Sequence, residues 1–136
     1  SNSSAKILPR NSILIAMYGA TVGEYGIINK EMSCNQAICA LKPNNKYPFT
    51  YLFLLIKSYK EDLINMAVGS AQQNISQQLI KQLPVLNCTQ TIKEFDSIAR
   101  VYFDKIKSNQ QQILTLTQLR DTLLPKLMSG EVQVEM

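Results

Sequence analysis

The sequence predicts an α+β protein: a small β-sheet domain with one packed helix, followed by a long C-terminal coiled-coil helix. Short apolar runs rich in branched side chains, each closed by turn residues, fill roughly the first third of the 136 residues. A single stretch with helical spacing follows them. From residue 91 the apolar period lengthens to seven. The expected division therefore falls between residues 1–89, the sheet domain, and residues 90–136, a long helix with a short tail.

Ser12 to Met17 (SILIAM) is a short apolar, β-branched run that reads as a buried strand, and it ends in a turn at Tyr18-Gly19. Glycines 19, 23 and 26 punctuate the next stretch, and Glu24 to Asn29 (EYGIIN) resumes strand composition, so a hairpin with a tight glycine-bearing connection is expected. Gln36 to Leu41 (QAICAL) reads as a third strand, closed by Lys42-Pro43 and the polar Asn44-Asn45-Lys46. After Pro48, Tyr51, Leu52, Leu55, Ile56, Tyr59, Leu63 and Met66 follow the three-four spacing of an amphipathic helix, with Gly69 placed to stop it. Residues 70–74 form a polar loop. Ser76 can cap a brief helix through Leu83, which Pro84 ends.

From Thr91 to about Leu124 one row of the heptad reads Ile92, Ala99, Ile106, Ile113, Arg120 and the other Phe95, Tyr102, Asn109, Leu116, Leu123. Eight of these ten are apolar and the residues between are mostly polar, which is a coiled-coil seam. At ~1.5 Å per residue it makes a rod of roughly 50 Å. A stripe of that length needs a second helix. Asn109 interrupts it, marking either a bend or frayed segment, or a polar pin that fixes register by penalising pairings in which it faces Leu.

Hydrophobic residues make up 46% of the chain, enough for a buried core. No apolar run reaches 18 residues, and the densest, Leu52 to Ile56, ends at Lys57, so no membrane span is expected. No charged-then-apolar leader opens the sequence, and Cys34, Cys39 and Cys88 form no CxxC pair. Reduced thiols and a cytoplasmic setting are expected. Histidine is absent, which excludes Ser–His–Asp and Cys–His catalysis and His-ligated zinc. There is no [DE]-x-K tripeptide, no GxxxxGK[ST] loop, no GxGxxG turn and no NPP[YF] motif. No catalytic residue, metal ligand or cofactor site is nominated.

Charge is uneven. Residues 1–47 carry Lys6, Arg10, Lys30, Lys42 and Lys46 against Glu24 and Glu31, a net +3 of the chain's +4, whereas basic and acidic residues balance from residue 90 onward. An excess gathered in the first part suits contact with a polyanion, though it also suits plain solvation.

The segments ILIAMYGATVG (13–23), NQAICALKP (35–43), YLFLLIKSY (51–59), GSAQQNIS (69–76), LIKQLPV (79–85) and LRDTLLPKLMSGEV (119–132), in this order, resemble the specificity (S) subunit of type I DNA restriction-modification enzymes. The last segment is the most specific. The resemblance implies a non-catalytic subunit with two DNA target-recognition domains, each reading one half of a split target, separated by two long helices that pair antiparallel. It implies docking to methyltransferase subunits, which use S-adenosylmethionine, and to restriction subunits, which use ATP. On that pattern the chain would hold the latter part of one recognition domain and one spacer helix.

Phosphate contacts position a DNA-binding protein, and base-edge contacts specify the sequence. Arg10, Lys30, Lys42 and Lys46 are the phosphate candidates, with Lys6 beside them. Tyr25 lies in one of the stretches least like the shared motifs, and Gln72 and Gln73 belong to a further polar loop; these three are the base-reading candidates. Asn35 and Gln36, from a shared motif, are better suited to tying down a loop, and Gly19 and Gly23 to a tight turn. The expected partners are duplex DNA, the methyltransferase and restriction subunits, and a second copy joined through Ile92, Phe95, Ala99, Tyr102, Ile106, Asn109, Ile113, Leu116 and Leu123. The competing reading is a coiled-coil assembly element that pairs with other specificity subunits without binding DNA itself.

Overall fold

In the computed structural model, which describes residues 6–68 and 74–132, the three apolar runs form strands β1 (Ile13–Ala16), β2 (Tyr25–Ile27) and β3 (Ile38–Leu41). They lie in the order β2-β1-β3, antiparallel throughout, so the first strand is the central one. Its composition explains the place. A strand hydrogen-bonded along both edges suits an unbroken apolar run, and the side chains of Ile13 and Ile15 are fully buried while Leu14 and Ala16 are half-buried.

Helix α1 (Phe49–Val68) packs across β1 and β2, burying Phe49, Leu52, Ile56, Leu63 and Ala67. Met66, expected on this face, is exposed: the stripe steps by four from Leu63 to Ala67 and turns Met66 outward. Gly69, the expected stop, lies outside the described residues. Ser76 caps α2 (Gln77–Lys81) as expected, its hydroxyl accepting from the Leu79 N–H at 3.2 Å. This helix ends at Gln82, earlier than Leu83.

The β1–β2 connection closes through backbone that only glycine adopts at little cost. Gly19 (φ 83°) and Gly23 (φ 81°) are both left-handed, and the Gly23 N–H donates to the Ala16 carbonyl at 2.9 Å. Their surroundings differ. A Cβ on Gly19 would meet nothing within 4 Å, whereas one on Gly23 would stand 2.6 Å from Cγ1 of Ile64 on α1.

Helix α3 (Thr89–Met128) is 40 residues long and continues through Asn109 without a break in its helical hydrogen bonding, which leaves no frayed segment there. It starts before the first heptad position and carries Pro125 inside it. It stops at Gly130 (φ 73°), where the Glu131 N–H donates to the Lys126 carbonyl at 3.0 Å and the Gly130 N–H to the Leu127 carbonyl at 3.2 Å. That pair of bonds is a glycine-terminated cap of the Schellman type, and it fixes the end that heptad reading put near Leu124.

Two compact units divide the chain between Ser97 and Ile98, inside α3. In the first, Ile13, Ile15, Ile56, Leu63, Ile75 and Ile92 are the largest fully buried apolar side chains. Thr50 is also fully buried, and its hydroxyl donates to the Asp96 carboxylate at 2.6 Å, joining the first turn of α1 to the early turns of α3. In the second unit most helical side chains are exposed. Among the described residues no helix is long and apolar enough to cross a membrane.

Gly23→Ala should cost about 2–4 kcal/mol, combining left-handed strain with overpacking against Ile64, while Gly19→Ala should cost only about 1 kcal/mol. Urea unfolding of the two variants checks the difference; equal losses would mean that the Ile64 contact relaxes away.

Candidate nucleic-acid interface

Strand register decides which charged loops meet. Ile13 pairs with both Ile27 and Leu41, so the start of β1 and the ends of β2 and β3 lie at one end of the sheet. Lys42 directly follows β3 there. Beyond β1, the Asn11 N–H donates to the Ile28 carbonyl at 2.9 Å and Leu8 bridges Met32, so segments 8–12 and 28–32 run face to face. Arg10 sits in the turn of the first segment, in which the Ser12 N–H and hydroxyl both donate to the Pro9 carbonyl, at 3.2 and 2.7 Å. Asn11 follows it with a left-handed φ of 67°, which Asn tolerates better than most residues. Lys30 belongs to the second segment. Lys6, Arg10, Lys30 and Lys42 are all exposed, with Glu31 the one acidic residue in these segments. Three of the four phosphate candidates thus converge on one sheet end.

The remaining candidates are placed differently. Lys46 donates its Nζ to Asn87 Oδ1 at 2.9 Å and lies 5.2 Å from the Tyr47 ring centroid. Asn44 shapes its loop by accepting from the Lys46 and Tyr47 N–H groups, each at 2.9 Å. Tyr25 is a packing residue of β2: its ring is 5.2 Å from that of Phe53, and the Lys60 ammonium lies 5.8 Å above it. Lys60 also pairs with Glu24 at 2.7 Å, and the hydrogen bond to that carboxylate holds the ammonium's pKa above its usual value. Gln72 and Gln73 lie outside the described residues; Asn74, which follows them, bridges Tyr18 at the opposite end of the sheet from Lys42. Asn35 ties its loop as expected, accepting from the Ala37 N–H at 3.0 Å.

The heptad rows are exposed over most of their length. Ile92 is 1% exposed and Ala99 is buried, but Tyr102 is 67% and Ile113 63% exposed, and Phe95, Ile106, Asn109, Leu116 and Leu123 also face solvent. Ile98, Leu119, Leu124 and Leu127, outside the two rows as read to Leu124, widen the apolar face. Heptad reading also missed a groove of about 300 Å³ lined by Tyr51, Leu54, Leu55, Leu86, Ile92 and Phe95, with Ser58 and Thr91 beside them. The signal for it was available: the run Leu52 to Ile56 holds more apolar residues than the sheet-facing stripe of α1 can use.

The model of the type I restriction modification DNA specificity domain matches residues 1–86. The chain belongs to that family. It is 29% identical over 135 residues to the specificity subunit of the type I restriction enzyme HindI from Haemophilus influenzae, covering 95% of this chain and 29% of that protein. It is 32% identical over 93 residues to the MjaIX specificity subunit from Methanocaldococcus jannaschii, covering 68% of this chain and 21% of that one. The crystal structure of the type I restriction-modification S subunit from M. genitalium superposes with a TM-score of 0.73 at 20% identity, over 92% of this chain and 34% of that chain. This specificity-family chain therefore spans less than a third of the length of these curated relatives, and its small sheet, packed helix and long C-terminal helix are a family fold.

Two cysteines of this specificity-family protein, Cys39 and Cys88, sit in opposite environments, one buried and one exposed. Burial pushes the Cys39 thiol above its ordinary value, partly offset by the Lys81 ammonium. Cys88, exposed at the start of α3, lies 3.0 Å from the Thr91 hydroxyl, and that hydrogen bond lowers its pKa. Iodoacetamide should therefore modify Cys88 first, with the rate rising at a lower pH than for Cys39, and Thr91→Val should move its onset upward. Mass spectrometry of the labelled protein reads the order; faster labelling of Cys39 would contradict it.

Proposed function

We propose that this chain is a non-catalytic DNA sequence-recognition module of a type I restriction-modification system, binding one half of a bipartite DNA target. Membership of the DNA specificity domain family over residues 1–86 carries the proposal. The gathering of Arg10, Lys30 and Lys42 on loops at one sheet end supports it, because exposed cations on adjoining loops can follow a phosphate backbone without disturbing the core. In this reading Lys46 is a secondary phosphate contact, since engaging DNA would mean giving up its bond to Asn87. Tyr25 contributes through the packing of β2, and base reading falls to the polar groups of the loops that carry the cations. The sheet domain ends near residue 89, and the long helix spaces and pairs modules. Methyltransferase and restriction subunits supply the chemistry and their own cofactors, in the cytoplasm.

The charge set is small, so the salt dependence should be shallow, with a slope of ~0.9 in log affinity per phosphate contacted. Arg10→Ala with Lys30→Ala and Lys42→Ala should weaken all duplex sequences alike and flatten that slope. Fluorescence anisotropy at several salt concentrations checks this; unchanged binding by the triple variant would remove the sheet end from the interface.

The exposed stripe of α3 favours pairing with a second copy, and it would serve equally in an assembly element that binds no DNA. Sedimentation should show a dimer, and Phe95→Asp with Ile106→Asp should dissociate it, since each buried carboxylate costs several kcal/mol. A monomer at every concentration would end the pairing proposal; a dimer without salt-sensitive DNA binding would leave the assembly element.

A further inference from the structure

We propose that Cys34 and Cys39 form a reversible disulfide across the turn between them when the protein meets a hydroperoxide. The bond needs neither DNA nor a second copy.

Asn35 to Ile38 make that turn. The Ile38 N–H donates to the Asn35 carbonyl at 3.3 Å, and the Asn35 side chain accepts from the Ala37 N–H at 3.0 Å. A four-residue turn holds its ends within about 7 Å, and Cys34 and Cys39 are the next residues out on either side. A disulfide spans about 4.4–6.8 Å between Cα atoms, so the turn supplies most of the closure the bond needs. Cys39 lies in β3, at the edge of the sheet, whereas Cys34 lies outside the strands and can shift toward it without breaking a ladder bond.

The surroundings of the two thiols give them different parts in the chemistry. Cys34 is half-buried, while Cys39 is 8% exposed and pairs in register with the fully buried Ile15. Burial pushes the Cys39 thiol's pKa up, the Lys81 ammonium offsets part of that, and charge on Cys34 adds to the rise. Each of these groups therefore acts on Cys39 from close by.

Cys34 is the thiol that a hydroperoxide can reach. Its thiolate sulfur attacks one peroxide oxygen and the O–O bond breaks. Cys34 becomes a sulfenic acid, and the other oxygen takes up a proton and leaves as water or an alcohol. The Cys39 sulfur then attacks the Cys34 sulfur. The S–S bond forms, the S–O bond breaks, and hydroxide leaves with the Cys39 proton as water. Two thiols lose two electrons and one hydroperoxide gains them. Lys81 favours the Cys39 thiolate that the second step requires, and a thiol reductant reverses the change.

Oxidation would lock a turn that also holds the sheet. The Ala37 carbonyl accepts from the Met17 N–H at 2.9 Å, and the Met17 carbonyl accepts from the Ile75 N–H at 2.7 Å. A closed turn should therefore stiffen the sheet end at which Tyr18 bridges Asn74.

The test uses the full chain with Cys88→Ser, so that the exposed thiol does not compete. Brief hydrogen peroxide treatment should give a product lighter by two hydrogens, with Cys34 joined to Cys39 in the same chain by peptide mapping, and dithiothreitol should restore the thiols. In the oxidised form the Met17 and Ile38 amides should exchange about tenfold or more slowly. Cys34→Ser, a small change outside the strands, should abolish both effects and leave Cys39 as a thiol that alkylates on unfolding. A Cys34 that gains two or three oxygens while Cys39 keeps its thiol overturns the proposal, as does a bond found only between chains. A disulfide within the chain that leaves Met17 exchange unchanged overturns its hold on the sheet end.

Discussion

The peptide groups and isoleucines of β1 are kept from water on every side, and the sheet domain is arranged around that constraint. Both edges of the strand are taken, by β2 and by β3, so its backbone polar groups are paired along its length. One face is closed by α1, whose buried residues meet β1 and β2. Past the end of β1 the pairing continues outside the regular sheet, with the Ile75 N–H donating to the Met17 carbonyl at 2.7 Å. A chain segment far away in sequence is recruited to finish a job that three short strands leave incomplete. Thr50 and Asp96 extend the same principle to α3, where a buried hydroxyl is allowed because a carboxylate accepts its hydrogen bond.

This arrangement separates packing from charge. The strands and the inner face of α1 are apolar, while the exposed cations Arg10, Lys30 and Lys42 stand on loops just outside the strand ends. Loops at a sheet end can change their polar groups with little effect on the burial of Ile13 and Ile15. Lys46 and Lys60 show the opposite use of a cation. One is fastened to Asn87 and the other to Glu24, and both lie over tyrosine rings, where the charge serves local order.

Most elements were legible in the sequence because each rests on local physics. SILIAM reads as a buried strand, Ser76 caps its helix where expected, and the long helix announces itself by period although the period stops short of its end. The less legible features are three-dimensional. Tyr25 has the chemistry to stack on a base, and nothing in its neighbourhood along the chain reveals that Phe53 and Lys60 pack against its ring. Met66 fits the helical stripe as well as Ala67 does, and only the sheet beneath decides between them. Arg10, Lys30 and Lys42 were separate loop cations until strand register brought their segments to one end. The heptad put the end of α3 near Leu124, but the helix runs on through Pro125, since a proline there removes only one donor, whereas the left-handed Gly130 turns the chain away.

The contact between Gly23 and Ile64 also restricts the order in which this protein can change over generations. Every other encoded residue carries a Cβ, so position 23 has no neutral neighbour in sequence space while Ile64 keeps its present size. A smaller residue at 64 has to come first, and it opens a cavity against the sheet before any advantage at 23 can be realised. Even then the left-handed backbone at 23 still favours glycine. The hairpin and the helix are thus coupled in one direction only. Ile64 can drift while Gly23 stays, but Gly23 cannot move first, so substitutions at the helix position should precede and outnumber those at the hairpin.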